Sequence, residues 1–254
     1  MERVLVAYSG GVDSSYLAFV ATSELGADAL CVLGLSPSVS AEQRDAAELT
    51  ARRHSFRLRA TKTDEVDDPR YAANPTNRCY YCKTELYGRL TAIAAEEGIS
   101  YILDGANADD VGDHRPGRAA ASEKGVVSPL VEVGLTKSEI RELSRMHGLA
   151  SWDKPASPCL SSRIAYGVPV TIERLSKVEA AERFLRNNGF REFRVRVHGE
   201  LARIEIAKSE LSRALSEDFA NRVSEKLKEI GFKYVTLDLQ GFRSGAMNEV
   251  ISNL

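Results

Sequence analysis

Residues 4–15 of the chain read VLVAYSGGVDSS: an apolar run, then a turn rich in glycine and serine, then the start of a helical pattern. Gly10 and Gly11 let the backbone approach a bound anion closely, and free amide groups at the start of a helix point towards such an anion. A well-capped strand–turn–helix junction is the plainer interpretation of a Gly-Gly turn, but this combination of residues favours a phosphate-binding loop. Three serine hydroxyl groups in the same turn add further donors, those of Ser9, Ser14 and Ser15.

Asp13 lies within this loop, where a carboxylate repels a bound phosphate unless a cation binds with it. Mg²⁺ takes oxygen ligands and is commonly held by one or two carboxylates together with substrate phosphates. We therefore expect Asp13 to be a ligand of Mg²⁺ beside the bound phosphate. The loop is not of the Walker type, because no Gly-Lys-Ser/Thr sequence follows.

Short β-type runs alternate with helical patterns over the first 165 or so residues. The runs are RVLVAY, ALCVLGL, FRLRA and YILDG. Strands that alternate with helices are typical of an α/β fold with a doubly wound parallel sheet. Ligands bind beyond the carboxyl ends of the strands in such sheets, and the glycine–serine loop follows the end of the first strand.

A second region begins near Val170, after the Gly/Pro-marked segment IAYGVPVT. It contains a helical pattern, two alternating runs joined through Gly199, a second helical pattern and the run KYVTLDL. Alternating apolar and polar residues on both sides of a glycine predict a hairpin. We therefore expect a small α+β domain over 169–254 after the α/β domain over 1–168.

The 254 residues include 34 Lys and Arg and 36 Asp and Glu, which gives a net charge of −2. This balance does not favour a nucleic-acid-binding domain, which is usually strongly basic. No apolar run is long enough for a membrane span, and MERVLVAY lacks the pattern of a signal peptide. We expect a cytoplasmic protein without nucleic-acid or membrane partners, whose cysteines are buried, catalytic or metal-bound.

Three of the four cysteines lie in polar segments. Cys79 and Cys82 form a Cys-x-x-Cys pair in NRCYYCKTELY, and Cys159 lies in KPASPCLSSRIAYG, whereas Cys31 lies in an apolar run and is expected in the core. The pair alone fits half a zinc site, a redox pair or part of a cluster. With Cys159 it fits a [4Fe–4S] cluster that leaves one iron open, or a zinc site completed by a histidine, although no histidine shows ligand spacing.

The loop resembles the PP-loop of the ATP pyrophosphatases, and several segments together resemble the LarE family along nearly the whole chain. The resemblance implies a PP-loop, Rossmann-like fold and an ATP-dependent sulfur transferase that forms homo-oligomers. It implies adenylation of the carboxylates of a pyridinium biscarboxylate mononucleotide, with release of pyrophosphate and AMP, on the way to the nickel-pincer nucleotide of lactate racemase. Domain 1–168 would adenylate, and domain 169–254 would bind the substrate phosphate and form the oligomer. The segments are SGGVDSS at 9–15, DGANADD at 104–110, DHRPGRAAASEKGVVSPL at 113–130, KPASPCLSSRIAYG at 154–167 and GFRSGAMNE at 241–249.

The resemblance also implies roles for individual residues. Asp104 would lie beside the nucleotide, and Cys159 and Arg163 would act in catalysis with the loop aspartate; the arginine charge can stabilise a thiolate, a cluster or a carboxylate. Arg194 and Arg196 alternate on one face of a strand, which suits a phosphate, and the resemblance makes them the site of the substrate phosphate. The implied metal ligands are Cys79, Cys82 and Cys159 for a [4Fe–4S] cluster and Glu182 and Glu205 for a divalent metal.

Two sources of sulfur stay open. In one branch of the family an extra sulfide bound to the cluster is transferred, which requires a partner that supplies sulfide; in the other a cysteine, here Cys159, gives up its own sulfur and becomes dehydroalanine. The Cys-x-x-Cys pair favours the cluster branch. Competing hypotheses are a tRNA thiolase, an ammonia-using synthetase, and a non-enzymatic iron–sulfur or zinc carrier.

Overall fold

The computed structural model describes residues 1–111, 116–155 and 158–243. The strands are β1 Val4–Tyr8, β2 Ala29–Leu35, β3 Arg57–Lys62, β4 Tyr101–Leu103, β5 Phe193–His198, β6 Leu201–Ile206 and β7 Tyr234–Leu237. The helices are α1 Val12–Leu25, α2 Ala41–Arg53, α3 Pro69–Ala72, α4 Arg78–Glu96, α5 Pro116–Glu123, α6 Pro129–Glu132, α7 Lys137–Met146, α8 Ile172–Asn187, α9 Leu211–Ala214 and α10 Glu217–Ile230. These elements form two compact units: a first unit of Met1–Asp68 with Asn77–Ser157, and a second of Pro69–Thr76 with Pro158–Leu254.

The first unit is built on a parallel sheet of order β3-β2-β1-β4. β1 occupies an interior position, where Val4 lies opposite both Ala29 of β2 and Tyr101 of β4. β1 and β2 are almost wholly apolar because each is covered on both faces. The predicted α/β class with a parallel sheet is confirmed, and β1 ends at Tyr8, so the glycine–serine loop lies at the carboxyl edge.

Alternate residues of β1 point to two separate apolar cores. Val6 packs in a core that includes Leu17 of α1, Ala47 of α2 and Ile140 of α7. Leu5 packs on the opposite face in a core supplied mainly by α4 and α5. Period-two alternation along a strand thus places helices on both sides of the sheet.

Cys31 of β2 is fully buried in the first of these cores, as predicted. Burial raises the pKa of its thiol to about 12. A thiol that stays protonated at neutral pH is a poor nucleophile and a poor metal ligand, so this cysteine is a packing residue.

The second unit contains a sheet of order β5-β6-β7. β5 and β6 are antiparallel and form the predicted hairpin, in which Gly199 has a φ of +63°. β7 is parallel to β6, and α10 lies between them in sequence, as a crossover connection requires. The C-terminal region is therefore an α+β structure with its own sheet.

Pro69–Thr76 also belongs to the second unit. Asn74 explains why: its side-chain amide donates to the carbonyl oxygens of Ala165 (2.8 Å) and Val168 (2.9 Å). The second unit resumes at Pro158, whereas the sequence places the boundary after residue 168. The boundary differs because a local Gly/Pro signal carries no information on such long-range contacts.

Some sequence motifs extend beyond the described residues. Parts of DHRPGRAAASEKGVVSPL, KPASPCLSSRIAYG and GFRSGAMNE fall at 112–115, 156–157 and 244–254, outside the described part of the chain. Among the helices that the structure describes, none combines the length and the apolar character of a transmembrane segment.

Gly10 provides a test of how tightly the loop packs. It has a φ of +73°, and a Cβ added there would lie 2.5 Å from Cβ of Ala47 on α2. Gly10→Ala should lower the free energy of unfolding by about 2–4 kcal/mol in urea titrations, because left-handed strain and overpacking add. Gly88→Ala, in α4 with no atom within 4 Å of an added Cβ, should instead raise it by about 0.5–1 kcal/mol. A Gly10→Ala protein as stable as the wild type would contradict this packing.

Candidate functional site

The loop between β1 and α1 is closed by its own serines. The backbone amide of Ser9 donates to Oγ of Ser14 (3.2 Å), which donates to the carbonyl of Gly11 (3.2 Å). Gly11 caps α1 without a side-chain hydrogen bond, so the first amide groups of the helix are not capped by a side chain. Ser15 is fully buried, unlike Ser9. The arrangement suits an anion at the helix start, and the contacts predicted for the loop residues stay predictions.

Asp13 is held by two residues from distant parts of the chain. Nδ2 of Asn107 donates to its Oδ1 (3.3 Å), and Nζ of Lys137 forms an ion pair with its Oδ2. Lys137 opens α7, where Thr136 forms a capping box with Glu139. The sequence singles out Asp13 as a candidate site residue but does not predict these two partners. The capping box marks the start of α7, yet no local pattern shows that Lys137, its first residue, contacts a residue 124 positions earlier.

Asp104 holds a turn that presses against the loop. Its Oδ1 accepts from the amide of Ala106 (3.2 Å) and Oγ of Ser128 (2.7 Å), and its Oδ2 from the hydroxyl of Tyr87 (2.9 Å). A Cβ on the adjacent Gly105 would lie only 2.9 Å from the backbone nitrogen of Ser14. Asp104 therefore shapes the wall of the loop, and its predicted contact with a nucleotide stays a prediction.

Tyr87 connects this turn to the helix that carries the Cys-x-x-Cys pair. Cys79 and Cys82 lie near the start of α4, three residues apart and hence on one face, and Tyr87 follows on the same helix. Cys79 is exposed and Cys82 partly buried. Burial, and then the neighbouring Asp104 carboxylate, raise the pKa of Tyr87 above its ordinary value, so its hydroxyl stays a donor.

Cys159 belongs to the second unit, where it precedes a short helical turn, Leu160–Arg163. In the described ranges no three histidine, cysteine or acidic side chains are grouped so as to hold a metal ion. The metal-ligand role of Cys79, Cys82 and Cys159 stays a prediction.

Arg163 folds the turn after Cys159. Its Nε and Nη2 donate to both carboxylate oxygens of Glu182 (3.0 and 3.3 Å), and its Nη1 donates to the carbonyls of Pro158 (2.6 Å) and Cys159 (3.0 Å). The amide of Val195 also donates to Glu182 (3.2 Å). The side chains of Arg163 and Glu182 are only 4% and 7% exposed, so this is a buried, bidentate ion pair.

Arg196 forms a second such pair across the β5–β6 hairpin. Its Nε and Nη2 each lie 3.1 Å from a carboxylate oxygen of Glu205, and its Nη1 donates to the carbonyl of Ser162 (2.9 Å). Arg203 donates to the same carboxylate (2.9 Å). Both predicted acidic metal ligands are thus engaged by guanidinium groups, an arrangement that suits an anion more than a divalent cation; the metal role of Glu182 and Glu205 stays a prediction.

Arg194 lies on the same face of β5 as Arg196. Burial, and then the charge of Arg163, lower its pKa to about 10. A dianion bound there would restore the preference for the charged guanidinium. In the described part of the second unit, Arg163, Arg196 and Arg203 form ion pairs with Glu182, Glu205 and Asp238.

The chain is similar to known proteins along its whole length, although no protein-family model matches it. It is 39% identical over 253 residues, 99% of this chain and 91% of the relative, to the pyridinium-3,5-bisthiocarboxylic acid mononucleotide synthase of Lactiplantibacillus plantarum. It is 42% identical over 252 residues (99% and 94%) to an uncharacterized protein of Synechocystis. An uncharacterized protein of Methanocaldococcus jannaschii is 31% identical over 243 residues (96% and 92%).

The buried ion pair gives a test of the second unit. Arg163→Met should lower the free energy of unfolding by about 3–5 kcal/mol, because it leaves the Glu182 carboxylate buried without its cation. The double variant with Glu182→Gln should recover most of this loss. Urea denaturation measures both, with Arg183→Met on the exposed face of α8 as the control that changes stability by less than about 0.5 kcal/mol. If Arg163→Met lowers the free energy of unfolding no more than Arg183→Met does, the Arg163–Glu182 ion pair is not a buried, stabilising contact.

Proposed function

Because the chain belongs to the LarE family of sulfur-transfer enzymes, we propose that it inserts sulfur into the carboxylates of a pyridinium biscarboxylate mononucleotide in an ATP-dependent reaction. The geometry that carries this proposal is the glycine–serine loop at the end of β1, with Asp13 held between Lys137 and Asn107. A loop of this kind without charged neighbours would fit any anion. An aspartate at the start of α1, paired with a lysine at the start of α7, fits a nucleoside triphosphate that brings its own cation.

ATP binds with its phosphates on the amide groups of the loop. Lys137 then turns from Asp13 to a phosphate oxygen, and the released carboxylate is free to ligate Mg²⁺. The fit rests on donor chemistry: the loop offers amides and hydroxyl groups to the phosphates, and Asp13 offers oxygen to the metal. Gly10 and Gly105 leave no side chain in the way of the loop backbone.

The reaction starts from a carboxylate, which is a poor electrophile. A carboxylate oxygen of the substrate attacks the α-phosphorus of ATP, the bond between the α-phosphorus and the bridging oxygen breaks, and pyrophosphate leaves. A sulfur nucleophile then attacks the carbonyl carbon and expels AMP, which takes the original carboxylate oxygen with it. A thiocarboxylate remains, and a second cycle converts the other carboxylate.

The arginine cluster of the second unit holds the phosphate of the mononucleotide. Arg194 makes the primary contact and Arg196 stands beside it, since both lie on one face of β5. Arg163 fixes the carbonyls of Pro158 and Cys159 and thereby the turn that carries the third cysteine.

The donor chemistry of the cysteines fits an iron–sulfur cluster. Cys79 and Cys82 present two thiols from one face of α4. Thiolates are the ligands that such clusters take, and Cys159 would be the third ligand. When bound, the cluster supplies the sulfur as an extra sulfide, which a separate sulfide source must replace. The alternative, in which Cys159 gives up its own sulfur, leaves no role for the pair. A cytoplasmic homo-oligomer completes the proposal.

A variant of the cysteine pair distinguishes the adenylation step from the sulfur-transfer step. Anaerobically purified protein with ATP, Mg²⁺, sulfide and the mononucleotide should release pyrophosphate and AMP and form a thiocarboxylate detectable by mass spectrometry. Cys82→Ala should still form the adenylate but lose repeated sulfur transfer, and Cys31→Ala, a change in the core, should retain both. Undiminished repeated turnover by Cys82→Ala would exclude the cluster. A dehydroalanine at Cys159 after one turnover would identify that residue as the sulfur donor.

A variant of Arg194 should affect the binding of the mononucleotide and not that of ATP. Arg194→Gln should raise KM for the mononucleotide about tenfold, the effect of losing one charge-assisted hydrogen bond, and leave KM for ATP within about twofold. Arg191→Gln, an exposed residue three positions earlier, should change neither constant. Equal increases in both constants for Arg194→Gln would show that Arg194 does not hold the phosphate of the mononucleotide.

A further inference from the structure

Phe242 lies near the end of the described residues and belongs to the motif GFRSGAMNE, which has no part in the reaction proposed above. Its ring contacts the side chain of Arg194 in the second unit, and Cζ of Arg194 lies over the ring, 5.0 Å from its centroid. The face of an aromatic ring attracts a cation within about 6 Å of the centroid. The motif therefore contacts the arginine for which a phosphate contact is proposed.

The backbone of Phe242 is fixed to β6. The amide of Asp238 donates to the carbonyl of Ile204 (2.8 Å), and the amide of Phe242 donates to the carbonyl of Ile206 (2.9 Å). These two hydrogen bonds extend the pairing of β7 with β6 beyond Leu237, where β7 ends. Phe242 is thus attached to the strand that pairs with β5, which carries Arg194.

A tight turn over residues 238–241 brings the ring to this position. The amide of Gly241 donates to the carbonyl of Asp238 (3.0 Å), and the amide of Gln240 donates to Oδ1 of Asp238 (2.9 Å). Gly241 has a φ of +75°, and a Cβ added there would lie 2.8 Å from the carbonyl oxygen of Ile206. Glycine adopts this backbone conformation and allows this close approach at no steric cost. The backbone itself therefore sets where the ring of Phe242 lies.

Asp238 also connects the turn to the arginine cluster. Its Oδ2 lies 3.6 Å from Nε of Arg203. Arg203 in turn donates to Glu205 (2.9 Å), which lies directly opposite Arg194 in the β5–β6 register. The turn is therefore held at its start by a charge of the cluster, and at its end it places Phe242 against Arg194.

We propose that Phe242 is a positioning residue for the substrate-phosphate site, whose ring orders the guanidinium of Arg194 before the phosphate of the mononucleotide binds. The inference rests on the proposed function of Arg194. An aromatic ring suits this role because it contacts a guanidinium without neutralising its charge, whereas Glu182 holds Arg163 in an ion pair. Ordering a flexible side chain in advance lowers the entropic cost of binding.

The first test measures the binding of inorganic phosphate by isothermal titration calorimetry, which needs no turnover. Phe242→Leu should weaken binding about fivefold, the effect of losing a partly buried cation–π contact, because leucine is apolar but has no aromatic face. Phe242→Tyr, which keeps a ring, should recover most of the affinity. Leu239→Ala is the control, since this side chain of the same turn is 78% exposed, and it should bind phosphate as the wild type does.

The second test shows whether Phe242 acts through Arg194. Phe242→Leu should raise KM for the mononucleotide about fivefold and leave KM for ATP within about twofold. In an Arg194→Gln background, the same substitution should raise KM for the mononucleotide by less than about 1.5-fold, because the ring has lost its partner. A fivefold increase in both backgrounds would overturn the proposal, since the ring would then act independently of Arg194.

The two tests distinguish a failure of this inference from a failure of the proposed function. A wild type that forms no thiocarboxylate from the mononucleotide would refute the proposed function, and the phosphate titration would still decide whether Phe242 supports an anion site at Arg194. Equal phosphate affinities of the wild type and Phe242→Leu would overturn the inference. Phosphate binding that Arg194→Gln does not weaken would also overturn it, because the anion would then bind elsewhere.

Discussion

The ion pair between Asp13 and Lys137 is the contact on which the site of the first unit depends. It joins the start of α1 to the start of α7, and Asn107 adds the turn after β4 through the same carboxylate. A negative charge at a phosphate-binding loop is unfavourable unless a cation compensates it. The lysine supplies that charge within the chain. In the proposed reaction the lysine would contact the phosphates, and the aspartate would then be free to hold Mg²⁺.

The second unit contains buried guanidinium groups whose charges must be compensated. Burying a guanidinium costs free energy unless a carboxylate is paired with it, and Glu182 and Glu205 provide such partners for Arg163 and Arg196. Burial, and then the charge of Arg163, lower the pKa of Arg194. In the proposed function this arginine cluster would hold the phosphate of the mononucleotide.

Local sequence patterns were sufficient for the fold class, because strand alternation, a glycine at a hairpin and a Gly-Ser turn are all short-range signals. The parallel sheet, the β5–β6 hairpin and the buried Cys31 follow from them. Contacts between distant residues do not: the sequence contains no local sign that Lys137 contacts Asp13. The hydrogen bonds of Asp104 were not predicted for the same reason: it uses both carboxylate oxygens to hold a turn, and only the tertiary structure reveals this.

The central claim is that a carboxylate is activated as an adenylate before sulfur replaces one of its oxygens. It is tested most directly with a mononucleotide whose carboxylates carry ¹⁸O, incubated with the protein, ATP, Mg²⁺ and sulfide, followed by mass spectrometry of AMP and pyrophosphate. The account predicts one ¹⁸O atom in AMP for each thiocarboxylate formed and none in pyrophosphate. Thiocarboxylate formed without ¹⁸O in AMP would contradict it.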